Sequence, residues 1–140
     1  MSRNILVAVD LSHVEKSSKI VEQAKSLAEQ GDDVRLTLLN VVAEIPTYVA
    51  ARLPSDLHKQ MIDEAAADLN KLKNEHGLPD STRIRIEHGN PAHEILNIAN
   101  KQEIDLVVVA SHQPEIADYL LGSVAGKVVR HARCSVLVVR

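Results

Sequence analysis

Asp10 and Ser12 follow directly on the apolar run from Ile5 to Val9. A carboxylate at the end of a buried strand needs donors or water, and a ribose diol supplies two donors. A plainer reading makes Ser12 the N-cap of a helix and Asp10 a charge near its positive end. Far along the chain, Gly122-Ser123-Val124 opens a helical stretch. The free N–H groups there form an anion site of the kind phosphates occupy. Gly122 lets the backbone approach closely, and Ser123 adds a hydroxyl donor or caps the helix. The surrounding GSVAGK is one residue short of a Walker A loop, and Val128 stands where Ser or Thr would hold magnesium, so that reading fails.

Other groups carry less. Ser111 and His112 are adjacent, no G-x-S-x-G elbow is present, and neighbours at a strand end point to opposite sides, which argues against a hydrolase triad. His112 instead suits a phosphate donor whose charge changes around its reference pKa of about 6.5. The other six of the seven histidines read as surface groups, because no His-x-x-x-His helical pair occurs. With one cysteine there is no internal disulfide and no cysteine-ligated zinc; Cys134 reads as a small packing residue. Lys127, Arg130 and Arg133 read as a solvated helix face.

The elements that must position these groups alternate along the chain. Ile5–Val9, Val34–Val42, Ile104–Ala110 and Val136–Val139 are short, continuous and β-branched, as strands covered on both faces are. Arg83–His88 alternates, which suits an edge strand. Helical spacing runs from Ser12 to a stop at Gly31, with Ser17 interrupting the stripe. It resumes from Ser55 and Asp56 to the Gly77-Leu78-Pro79 stop, from Pro91 through Ala99, and after Gly122-Ser123. The order β-α-β-α-β-α-β-α-β defines an α/β fold: one doubly wound domain over residues 1–140, with a five-stranded parallel sheet, Rossmann-like, and helices on both faces. Ala43–Pro54, with Tyr48, is expected to be an irregular lid or contact loop. Ligands in such sheets sit beyond the carboxyl ends of the strands at the switch point. This selects Asp10–His13, Val42–Glu44, Gly89-Asn90 and Ser111–Pro114, with Gly122-Ser123 facing the same crevice.

Composition narrows the options. The 140 residues are 45% hydrophobic and 25% charged, with a formal net charge of −3. That argues against a phosphate-backbone binder, and so against nucleic acid as a partner. Two tyrosines and no Phe or Trp exclude base-stacking RNA platforms and aromatic cages. An adenine would have to lie between aliphatic side chains, with Tyr48 and Tyr119 the only rings available. No apolar run approaches the length of a membrane span, and MSRNILVAVD meets a charge too early for a secretory signal, so a cytoplasmic chain is expected.

ILVAVDLS at the start and LLGSVAGKVVRHARCSVLVVR at the end, with LLNVV and EHGNPAHEIL between them, resemble the universal stress protein family over the whole chain. ASHQPEIADYLLGS resembles the branch with Ser-His-Arg-Pro at this place. The resemblance implies an ATP- or AMP-binding homodimer. Asp10 matches the family's ribose-contacting acid, Ala8 and Val9 the adenine-side strand positions, and Val41 the adenine-backbone contact. Leu11, Ser12, Gly89, Ser111, His112, Gln113, Gly122, Ser123 and Val124 complete the implied nucleotide contacts. Ser135, Val136, Leu137, Val138 and Val139 match the strand that pairs between subunits. The nucleotide-binding pattern is Gly, two residues, Gly, nine residues, then Gly-Ser/Thr. Gly122-Ser123 matches its end, whereas Ala110 and Gln113 replace the first two glycines and the spacer is one residue short, which implies altered phosphate handling. Mg2+ would arrive with the phosphates, without ligands from the protein.

The implied role is a stress-response regulator with at most slow hydrolysis or autophosphorylation, Ser111 or Ser123 being the conceivable acceptors. The departures keep a second reading open: a nucleotide-independent dimeric module that regulates a partner such as a transporter. A receiver-like domain would need an acidic pair after strand one, an Asp after strand three and a Lys after strand five; Asp10 stands alone and His88-Gly89 occupies the third strand end.

Overall fold

Three of the four continuous apolar runs become interior strands, and the last, Val136–Val139, an edge strand, in a computed structural model that describes residues 2–111 and 121–140. In chain order the elements are β1 (Arg3–Ala8), α1 (Val14–Glu29), β2 (Val34–Val42), α2 (Thr47–Ala50), α3 (Leu57–Glu75), β3 (Arg83–His88), α4 (Pro91–Lys101), β4 (Leu106–Ala110), α5 (Ser123–His131) and β5 (Ser135–Val139). All five strands are parallel, in the order β3-β2-β1-β4-β5. The chain therefore reverses its direction of winding between β1 and β4. That places the switch point beside Ala8 and Ala110.

Alternate residues of each strand feed two apolar layers. Ile5, Val7, Leu36, Leu38 and Val108 pack with Ile20, Val21 and Ala24 of α1 and Leu69 and Leu72 of α3. Leu6, Leu39, Val107 and Val109 pack with Ile95 and Ile98 of α4 and Ala125 and Val128 of α5. Double coverage explains why these strands read as unbroken apolar runs. Strand β3 lies at an edge, and its alternation has a direct cause. Ile84 and Ile86 join the α1/α3 layer, while Arg83, Arg85 and Glu87 point to the other side.

Several local expectations are corrected. Helix α1 begins at Val14, with His13 at the N-cap in extended conformation and no side-chain cap. Ser12 does not cap because its hydroxyl donates to Asp10. Ser17 breaks the apolar stripe for a structural reason: it is buried, and its hydroxyl lies 2.6 Å from the Asp10 carbonyl and 2.9 Å from that of His13. Helix α3 opens at Leu57, two residues later than expected, and the Asp56 carboxylate accepts from Gln60 Nε2 rather than from a backbone N–H. The stretch expected to be irregular contains the single turn α2, with Tyr48 exposed on it.

The Gly77-Leu78-Pro79 stop takes a defined form. Gly77 has φ +64, its N–H donates to Asn74, and Leu78 N–H donates to Lys73. These two bonds make a Schellman motif, and the buried Leu78 supplies its hydrophobic contact. Pro91 opens α4 as expected, behind Asn90, whose side chain accepts from His93 N–H at 3.0 Å.

Candidate functional site

Where β1 and β4 part, the carboxyl ends of the central strands line a cavity of about 140 Å³. Ala8, Val9 and Asp10 come from β1 and its end, and Leu39, Asn40 and Val41 from β2. Val109 and Ala110 of β4, Pro91 and Ile95 of α4, and Val124 of α5 close it. Ala8 is the small residue that leaves space on the α4/α5 side, where it faces Val41 and Val124, whereas Ala110 packs against the α1/α3 layer and only borders the slot. The walls are aliphatic, so the slot suits a flat ring of moderate polarity held by van der Waals contact.

The polar edge of the slot is held by several bonds. The Asp10 carboxylate accepts from Ser12 N–H at 3.0 Å and from the Ser12 hydroxyl at 2.5 Å. Its backbone carbonyl accepts from the Ser17 hydroxyl and from His13 N–H. Together these bonds fix the backbone and the carboxylate at the mouth of the cavity, which limits the entropy a ligand contact there would have to offset. Asn40 is buried, and its Nδ2 donates to the Val9 carbonyl at 2.9 Å, tying the ends of β1 and β2 together.

On the far side of the mouth, Gly122 is buried at the N-cap of α5 with no side-chain cap. The first-turn amides of α5 are thus left without a capping side chain beside Val124, which lines the slot. Ser123 is the first helical residue and does not serve as the cap. Lys16 reaches across from α1 and its Nζ donates to the Ser111 carbonyl at 2.9 Å, so a cation is fastened to the end of β4.

Of the residues singled out in the sequence, Ala8, Val9, Asp10, Val41, Ala110 and Val124 meet around this cavity. Ser12 is joined to it through Asp10, and Leu11 packs against the α1/α3 layer. Gly89 does not line the cavity. It ends β3 with φ +128, donates to the Val42 carbonyl, and would bring a Cβ within 3.2 Å of Glu94. Ser111, Gly122 and Ser123 flank the slot without lining it, and His112, Gln113, Pro114 and Tyr119 lie outside the described residues.

Leu39, Asn40, Pro91, Ile95, Val109 and Lys16 were missed. Leu39 sits two residues before Val41 on the same strand face, a signal the sequence did carry; Lys16 gave none. Burial pushes the Cys134 thiol up, as befits a packing residue rather than a nucleophile. Among the described residues no group of three or more His, Cys, Asp or Glu could hold a metal ion, and no helix is long and apolar enough to cross a membrane.

A doubly wound, all-parallel sheet with an aliphatic slot at its switch point places the chain in the open α/β class whose ligands sit beyond the strand ends. The profile of the universal stress protein family matches residues 1–140, and the chain belongs to that family. Universal stress protein G of Escherichia coli O157:H7 is 32% identical over 144 residues, covering 100% of both chains. The universal stress protein UspA of Lactobacillus plantarum superposes with a TM-score of 0.69 at 25% identity, over 99% of this chain and 97% of that one. A universal stress protein solved in complex with cAMP superposes with a TM-score of 0.64 at 25% identity, over 99% and 96%.

Proposed function

We propose that residues 1–140 form one domain that binds an adenine nucleotide, ATP or AMP, and acts as a cytoplasmic homodimeric regulator in the stress response. The observation that carries this reading is the slot itself: an aliphatic cavity at the switch point with Asp10 fixed at its mouth. A volume of about 140 Å³ accommodates the base, while sugar and phosphates extend over the strand ends. Adenine lies between Ala8, Val41 and Val109, and the Asp10 carboxylate takes the ribose hydroxyls. The amides at the start of α5 and the Lys16 ammonium face the phosphates. Mg2+ enters with those phosphates. The relative solved with cAMP supports an adenine nucleotide as the ligand class.

Denaturing the purified protein and identifying released small molecules by mass spectrometry, followed by titration with ATP, AMP and cAMP, tests the proposal. Saturable binding of ATP or AMP is expected. Asp10→Ala is expected to weaken it by about tenfold or more, the worth of a charge-assisted hydrogen bond. Absence of any saturable nucleotide binding overturns the reading and leaves the dimeric partner-regulating module. Unchanged affinity in Asp10→Ala removes that residue from the site.

A further inference from the structure

We propose that the amino-terminal pole of the sheet, opposite the strand-end slot, carries a second binding site for a small organic phosphate with a short apolar tail, held by Arg35 and Arg83. A cavity of about 290 Å³ opens there between the starts of β1, β2 and β3 and the carboxyl end of α4. Arg35, Thr37, Ser81, Arg83 and Gln102 line it. The strand register explains why these groups converge. Thr37 pairs with Arg83, Asn4 with Arg35 and Leu6 with Thr37, so all of them share the α4 face of the sheet. Over β1 and β4 that face is sealed by Ile95, Ile98 and Val128. Over the first residues of β2 and β3 it is not, and charged residues line the gap.

The charges there are poised for an anion. Arg85 is already paired with Glu87 at 2.8 Å. The guanidinium groups of Arg35 and Arg83 have neither an ion pair nor a hydrogen-bond partner among the described residues. Of the nearby carboxylates, Asp105 accepts from Asn4 N–H, and Glu103, on the rim, pairs with neither arginine. Lys101 in the last turn of α4 offsets the negative end of that helix. Two guanidinium forks beside the hydroxyls of Thr37 and Ser81 and the Gln102 amide match the oxygens of a phosphate group.

A second cavity of about 130 Å³ shares Thr37, Arg83, Gln102 and Ile104 with the first, and continues onto Leu6 and Ile98 beside Arg85. A polar, basic chamber opening on a smaller one with Leu6, Ile98 and Ile104 in its wall selects a ligand with a charged head and a few carbons.

The test is calorimetric titration of the full chain, in a phosphate-free chloride buffer, with inorganic phosphate and with butyl phosphate. Butyl phosphate is expected to saturate and to bind about tenfold more tightly than inorganic phosphate, as burial of two or more methylene groups implies. Arg35→Gln and Arg83→Gln are each expected to weaken it by about tenfold, whereas Arg130→Gln, an exposed arginine on α5, leaves it unchanged. Both target arginines are exposed, so the variants keep the wild-type melting temperature, which is measured alongside. Failure of butyl phosphate to saturate, affinity no better than that of inorganic phosphate, equal loss in Arg130→Gln, or binding that persists in the double variant Arg35→Gln/Arg83→Gln each overturns the assignment. The nucleotide titrations read the other pole, so neither proposal stands or falls with the other.

Discussion

Two buried hydroxyls have opposite energetic roles. Ser17 bridges the Asp10 and His13 carbonyls, and so couples the start of α1 to the acid at the mouth of the slot. Thr82 is also buried, yet its Oγ1 has no hydrogen-bond partner among the described residues, although its backbone carbonyl accepts from Lys73. A satisfied buried hydroxyl contributes about 1 kcal/mol net, and its removal also strands its acceptors; an unsatisfied one carries a desolvation cost of similar size. Ser17→Ala is therefore expected to destabilise by about 1–2 kcal/mol, and Thr82→Val to stabilise by about 1 kcal/mol. Urea unfolding checks both as midpoint shifts at constant slope. A Thr82→Val variant that unfolds earlier than wild type would show that the hydroxyl does have a partner.

Between elements, α1 and α3 are joined across their outer faces by His76 Nδ1 and Glu22 Oε1. His76 is also the C-cap of α3, so the contact ties the Schellman end of that helix to its neighbour. The hydrogen bond from His76, aided by the charges of His76 and Lys25, holds the Glu22 carboxyl below its ordinary value of 4.5. A carboxylate with a depressed folded-state pKa stabilises above its unfolded pKa, and the contribution is lost as pH falls through the folded value. Glu22→Gln is thus expected to lower the urea midpoint at pH 7 and to make no difference once the pH falls well below 4.5. An equal loss at both pH values would assign the effect to packing.

This contact was invisible in the sequence, because residues 54 positions apart carry no mutual signal. Lys16 escaped notice for the same reason, as it meets Ser111 only after β4 has been placed beside β1. What was legible depended on period and punctuation. Unbroken Val/Ile/Leu runs gave the covered strands, the alternation of Arg83–His88 gave an edge, and Pro91 and Gly77 gave helix ends. Half of the slot's lining could be read as well, since strand ends in a doubly wound fold are selected by topology alone. The caps misled. Ser12 and Ser55 have the composition of N-caps, but Asp10 claims the Ser12 hydroxyl and α3 starts two residues beyond Ser55.

At the scale of the molecule, the two edges of the sheet are unlike. Strand β3 presents Arg83, Arg85 and Glu87, charges of the kind that discourage further strand pairing. Strand β5 presents Val136, Leu137 and Val138, only half buried, with the exposed Val129 of α5 nearby. An unprotected apolar edge favours the proposed homodimer through β5 rather than β3. The ladder shows which backbone groups remain for it. Ser111 N–H donates to the Val139 carbonyl, so Ser135, Leu137 and Val139 spend their backbone groups on β4, and Val136 and Val138 turn theirs outward. Proline at 138 therefore removes no bond within the sheet but blocks pairing across the edge, whereas proline at 137 breaks the ladder to β4. Sedimentation of the wild-type chain is expected to give a dimer, and Val138→Pro a folded monomer with unchanged far-ultraviolet circular dichroism. Leu137→Pro is expected to lose about 3 kcal/mol or more of stability. A dimer that survives Val138→Pro intact would move the subunit contact away from β5, and a monomeric wild type would remove the dimer from the proposed function.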